Sequence, residues 1–226
     1  RGGVGEKLLS LTTLTRNIYT LDENDNRVPL RDSIIDQYYL DIVDAEEMAR
    51  LKSFVYGENS YNDTYDEEVI GANRRWIKGD VMHSKPVIVN YKSFSLDDED
   101  KPSENKSYIF VGGNDGMLHA YHDSDGTEAW AFIPPELLPH LQYLRDFDKH
   151  YYYIDGSPVV YLYDADNDGN INGDNDDNGD KDRAVVIFGM RRGGGKSTLG
   201  EGSASSSYYA LDITDPQDPT FMWKIN

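Results

Sequence analysis

The stretch "YIFVGGNDGMLHAYHDSDGTEAWAF", residues 108–132, decides the fold. Runs rich in Tyr, Ile, Val and Phe alternate in it with Asn-Asp-Gly and Asp-Ser-Asp-Gly, where glycine supplies the positive φ of a tight hairpin turn. Three strands joined by short turns follow from that spacing. The Pro-led run "HSKPVIV" at 83–89 adds a strand ahead of them. The same order returns downstream as "DGSPVVYL" at 155–162, "AVVIFG" at 184–189, "YYALDI" at 208–213 and "TDPQDPTFMWKI" at 214–225. Each copy holds a Pro-led strand, a second strand ending in glycine, a third carrying Ala120 or Ala210, a turn, and a fourth carrying Trp130 or Trp223. Four antiparallel strands repeated along a chain make a β-propeller blade, so the expected fold is all-β with the two tryptophans in equivalent positions.

Outside the repeat, "DAEEMARLKSFVYG" at 44–57 predicts the one helix, short and N-terminal. Asp44 caps it, Glu47 stands at its third position, Met48, Leu51 and Val55 share a face, and Gly57 stops it. Residues 1–67 read as a lead-in belonging to the same propeller domain, and 68–226 as the blades. "RNIYTLDENDNRVPL" at 16–30 offers part of a third blade. Two complete blades do not close a ring, so an incomplete propeller is expected and the chain reads as a piece of a larger protein. Trp76, Trp130 and Trp223 are expected in blade cores.

A formal charge of −19 over 226 residues repels phosphate backbones and anionic lipid heads, which disfavours nucleic-acid and membrane-surface roles and favours cations as small partners. No cysteine is present, so disulfides and thiolate metal sites are excluded. No apolar run approaches the ~18 residues of a spanning helix, and no signal peptide is seen.

Between the first two strands of the second copy lies "YDADNDGNINGDNDDNGDKDR" at 163–183, with eight aspartates. Calcium takes six to eight oxygens, which a short loop provides when carboxylates alternate and a glycine permits the turn. Asp164, Asp166 and Asp168 occupy the first, third and fifth places of such a loop and Gly169 the sixth. Asn170 would offer a carbonyl at the seventh place, Ile171 would pack inward, and Asn172 is ninth. The twelfth place is Asn175 in place of a bidentate glutamate, so Asp174 is a substitute ligand and the site is weaker than an intracellular sensor. A second frame runs through Asp174, Asp176, Asn178 and Gly179, with Asp182 at its ninth place. The competing reading is a solvated acidic linker, but a linker needs neither the spacing of two nor the recurrent glycine.

"GDVMHSKPVIV", "VGGNDGMLHAYHDSDGTEAWAFIP", "YYYIDGSPV" and "FGMRRGGG…YYALDITDPQDPTFMWKI" occur in that order and together resemble the C-terminal propeller of the PilY family, the type IV pilus biogenesis factors and tip-associated adhesins. The resemblance covers roughly 74–226, with weaker extensions in "RNIYT" and "FVYGENS". It implies a modified quinoprotein-like propeller, exported and acting at the cell surface or pilus tip, with pilus components (minor pilins or the tip) and host-surface receptors as partners. It also implies calcium control of pilus extension against retraction. The family's best-known calcium loop lies nearer the C-terminus than 164–182, so a regulatory role does not transfer to this loop directly. The 226 residues do not include the family's large N-terminal region, so adhesion attributed to that region is not carried over to them.

The chemistry of catalysis finds little support, and no catalytic residue is assigned. "FGMRRGGGKST" imitates a phosphate-binding loop, but five residues separate Gly189 from Gly195 where four are required, and no helix former follows. Arg191 and Arg192 are expected to brace the loop between strands. A pyrroloquinoline-quinone dehydrogenase is the alternative, sharing the propeller and the blade signature, yet that signature is structural. His119 and His122, three apart on one strand, point to opposite faces. His83, His140 and His150 read as isolated structural histidines, and the tyrosine runs as alternating between core and surface.

Overall fold

The computed structural model describes residues 3–10, 15–61, 73–74, 76–92, 107–146, 148–193 and 207–226. Among the described residues, ten strands form two sheets. The first has six, β1 (Ile18–Leu21), β2 (Arg27–Pro29), β3 (Val87–Asn90), β4 (Ser107–Gly112), β5 (Leu118–His122) and β6 (Glu128–Phe132), in the order β2-β1-β6-β5-β4-β3. The second holds β7 (Val159–Tyr163), β8 (Arg183–Gly189), β9 (Tyr208–Asp212) and β10 (Thr220–Ile225), in the order β10-β9-β8-β7. The protein is therefore mostly β, as the strand pattern implies, and both repeat copies form antiparallel four-stranded units.

The turns form for the expected reason. Gly116 (φ 92°) closes the β4–β5 hairpin and Gly126 (φ 74°) the β5–β6 hairpin, where the Asp125 carboxylate accepts from the Thr127 amide. The register is also repeated. Ala120 faces Trp130 and Ala210 faces Trp223, each pair beside a bulge. Their surroundings differ, because Trp130 is fully buried against the second sheet while Trp223 is only half-buried. Trp130 Nε1 donates to the Pro216 carbonyl at 2.8 Å, and Phe132 packs on Phe188 and Tyr209, so the two sheets share one apolar core. Gly112 is required by close approach, since a Cβ there would lie 2.4 Å from the Ile154 carbonyl oxygen.

Three expectations are corrected. Residues 16–30 do not start a third sheet of their own: β1 and β2 form a hairpin, and β1 adds in parallel to β6, Ile18 beside Ala131. The helix at 44–57 is not alone. It forms as read, α3 (Ala45–Tyr56), with the Asp44 carboxylate accepting from the amides of Glu46 and Glu47 and Gly57 at the stop. But α1 (Val4–Ser10), α2 (Gln37–Leu40) and a 3₁₀ helix (Pro135–Arg145) accompany it. Trp76 is 57% exposed and no part of the core. The boundary near residue 67 and most of the insertion at 90–107 lie outside the described residues, as does the Lys-Ser-Thr end of the phosphate-loop imitation.

A buried ionic cluster pins the lead-in to the first sheet. Arg16 holds both oxygens of Glu128 at 2.7 and 3.0 Å and also donates to the carbonyls of Val55 and Tyr56. His119 sits between Glu128 (2.7 Å) and Asp115 (3.0 Å), one ring nitrogen toward each carboxylate. Lys78 and the Gly79 amide complete the shell of Asp115. Burial alone would raise the two carboxyls. The opposing charges reverse this, holding Asp115 well below the usual range and Glu128 at about 2.

Candidate cation site

The acidic loop leaves the second sheet between β7 and β8. Tyr163 faces Arg183 across that hairpin, so the next residues out, Asp164 and Asp182, are neighbours by construction. Ile171 turns inward into the core and its amide donates to the Tyr91 carbonyl beyond β3, which anchors the middle of the loop to the first sheet. The inward packing read from its place in the loop is what the structure has. The segment 164–174 is thus held at both stem and apex.

Between these anchors the side chains fold back on their own backbone. Asp164 accepts from the Gly169 amide at 2.9 Å, Asp166 from Asp168 at 3.0 Å and Asp168 from Asn170 at 2.7 Å, with Gly169 at φ 83°. Two groups of carboxylates result, Asp164 with Asp166 and Asp168, and Asp166 with Asp174 and Asp182; within each group one oxygen per residue lies within 4.8 Å of the others. Asp166 belongs to both. The Asp168 amide lowers its carboxyl, but desolvation and the nearby Asp168, Asp174 and Asp182 outweigh that and leave it raised. Oδ1 of Asp164 is sealed from solvent with no hydrogen-bond partner. Asp182 is 2% exposed and accepts from the amides of Ala165 and Asn172, which keeps it ionised.

The nine residues of the two sequence frames are not used alike. Asp164, Asp166, Asp168, Asp174 and Asp182 converge. Asn172 bonds Asp174 through its amide group and Asp182 through its backbone, and Asn170 bonds the Asp168 carboxylate. Asp176 and Asn178 turn instead into a separate small hairpin, in which Asp176 accepts from the amides of Asn178 and Asp180 and Asn175 bridges Lys181. Asp182, counted in the second frame, joins the first. The strand register was the signal for this, because it sets the two ends of the loop side by side.

The histidines are less isolated than the spacing suggests. His83 Nδ1 lies 2.8 Å from the buried carboxylate of Asp155, which Arg191 also holds at 2.9 Å, so Arg191 reaches beyond its own loop. His150 pairs with Asp80. The Nδ1 of His140 is buried without a partner, and burial lowers its pKa. His119 is buried and His122 is not, as expected of opposite faces. No helix among the described residues is long and apolar enough to cross a membrane.

Two sheets, each holding one copy of a four-stranded antiparallel repeat, with a carboxylate-lined hairpin loop at one rim, define a repeat-built, mostly β protein. Its relatives are specific. The chain is 31% identical over 202 residues, 82% of its length, to the type IV pilus biogenesis factor PilY1 of Pseudomonas aeruginosa strain PAK, and 33% identical over 169 residues to PilY1 of strain PAO1. It is 36% identical over 123 residues to a PilY1 homolog of Xylella fastidiosa. The chain is a fragment of the PilY family. It spans 15%, 12% and 7% of those three relatives. No family model matches it, and no solved structure gives a significant match.

Proposed function

We propose that this chain is a calcium-binding, non-enzymatic portion of an exported type IV pilus biogenesis and adhesion factor, acting at the cell surface or pilus tip and favouring pilus extension over retraction. The pilus assignment is supported by the names of the relatives. The calcium assignment is carried by one observation: five aspartates from both ends of the loop converge on Asp166, and one of their oxygens is sealed without a partner. The donor set is all oxygen, which suits a hard cation and Ca²⁺ above transition metals. The two sheets are consecutive blades of an incomplete propeller, supported by the repeated Ala–Trp register. Minor pilins or the pilus tip are the partners this reading implies, with host-surface receptors for the parent protein.

Calorimetric titration of the chain with calcium tests the site. The expected dissociation constant is ~10⁻⁴ M, as in extracellular modules. With free ion at a hundred times that dissociation constant, mass action adds about 2.7 kcal/mol to stability. Equal heats from the wild type and from the Asp166→Ala, Asp168→Ala double variant return the loop to a solvated linker. In the full-length parent, neutralising Asp164, Asp166 and Asp168 lowers pilus number, and removing the retraction motor restores it. Unchanged pilus numbers in both backgrounds reject the regulatory role. Oxidation of an alcohol or sugar with pyrroloquinoline quinone by the purified protein overturns the non-enzymatic reading.

A further inference from the structure

At the rim opposite the acidic loop, a cavity of about 620 Å³ opens beside the β4–β5 turn, bounded by residues 76–80, the end of the 3₁₀ helix and residues 148–153. Its size is that of a small-molecule site. The chain carries a charge of −19, yet this cavity is nearly balanced in charge. Asp80 is paired with His150 and accepts from Asn114; Asp115 is paired with Lys78; Asp146 accepts from the Tyr151 hydroxyl at 2.7 Å and lies 3.9 Å from Lys149. A cation arriving there meets Arg74, Lys78 and Lys149, and an anion meets Asp80, Asp115, Asp146 and Asp148, so the lining favours neither sign. The charge balance therefore selects an uncharged ligand.

The walls say what kind. Trp76 and Tyr143 line the cavity and are 57% and 37% exposed, while Trp130 is fully buried and Trp223 half-buried. An exposed indole at a cavity wall is a departure from the rule that large rings are buried. Tyr151 packs on Tyr143 at 5.4 Å. Flat apolar faces are thus set beside Asp80, Asp146 and Asn114, planar polar groups with acceptor positions. A pyranose matches that pairing, since its C–H face stacks on an aromatic ring while its rim of hydroxyls donates to carboxylates. We propose that this cavity is a carbohydrate-binding site in which Trp76 stacks on a sugar ring and Asp80 and Asp146 accept from its hydroxyls. The inference is independent of calcium in the loop and of the role in pili.

The test is titration of the whole chain with lactose, maltose, diacetylchitobiose and methyl α-mannoside at millimolar concentration, read by calorimetry and tryptophan fluorescence. At least one sugar binds saturably, with affinity unchanged between low and high salt as befits an uncharged ligand. Trp76→Ala weakens it at least tenfold, whereas Trp223→Phe, on the second sheet, leaves it unchanged. Trp76 rests against Gly5, so Asp146→Ala is a second variant, expected to weaken binding while Trp76 stays in place. Failure of all four sugars to bind overturns the proposal. So does undiminished binding by both Trp76→Ala and Asp146→Ala, or saturable binding confined to a lysine- and arginine-rich peptide, which would mark a site for a cationic partner.

Discussion

Replacing Glu128 by glutamine removes one charge from a cluster that water cannot reach. Glu128 takes two hydrogen bonds from Arg16 and lies 2.7 Å from His119 Nδ1, and all three side chains are buried. Breaking a buried pair from one side costs about 3–5 kcal/mol, because the partner is left charged and desolvated. Proton linkage gives an independent figure. The carboxyl is held at about 2 against an ordinary 4.5, and a gap of about 2.5 units corresponds to about 3 kcal/mol. Because the folded pKa is the lower one, this stabilisation is fully present above the unfolded value near 4.5 and is lost as pH falls towards about 2. Urea unfolding followed by circular dichroism should therefore show the Glu128→Gln variant about 3 kcal/mol less stable at neutral pH, with a midpoint of thermal unfolding lower by roughly 6–12 °C. Its stability should also fall less steeply than that of the wild type through the acid range. A variant within about 0.5 kcal/mol of the wild type, the range of ordinary surface substitutions, or one with the same acid slope, refutes the reasoning.

Other expectations follow from single contacts. Asp44→Ala removes the cap that accepts from two amides of α3 and should cost about 1 kcal/mol in urea unfolding. Gly112→Ala drives a methyl into the Ile154 carbonyl and should cost at least the ~1–3 kcal/mol of overpacking, seen as a lower unfolding temperature. Asp176→Asn should leave calcium affinity unchanged by calorimetry while Asp166→Asn lowers it at least tenfold, since only Asp166 belongs to the converging carboxylates.

What could be read from the sequence was whatever local chemistry determines. The hairpin glycines, the Asp44 cap and the alternation of aspartates act within a few residues, so each is visible in a short window, and the repeat shows because the same windows recur. The parallel pairing of β1 with β6 has no such window: Ile18 and Ala131 meet only through the packed sheet. The 3₁₀ helix was hidden by Pro135 and Pro139, which break the helical period. The cluster of Arg16, Lys78, Asp115, His119 and Glu128 has no sequence signature at all, because a sequence does not show that five ionisable groups will be buried together and satisfy one another.

That parallel joint also sets a timetable for synthesis. The hairpin of β1 and β2 leaves the ribosome more than a hundred residues before its partner strand. At ~5–20 residues per second Ile18 waits roughly 6–23 s for Ala131, with Ile18, Leu21 and Leu30 uncovered. The second sheet has no such wait, since each of β8 to β10 pairs with the strand made just before it. A chaperone that holds nascent apolar segments would thus find one at residues 18–30, and a circular permutant that brings this hairpin next to β6 should fold faster at unchanged stability.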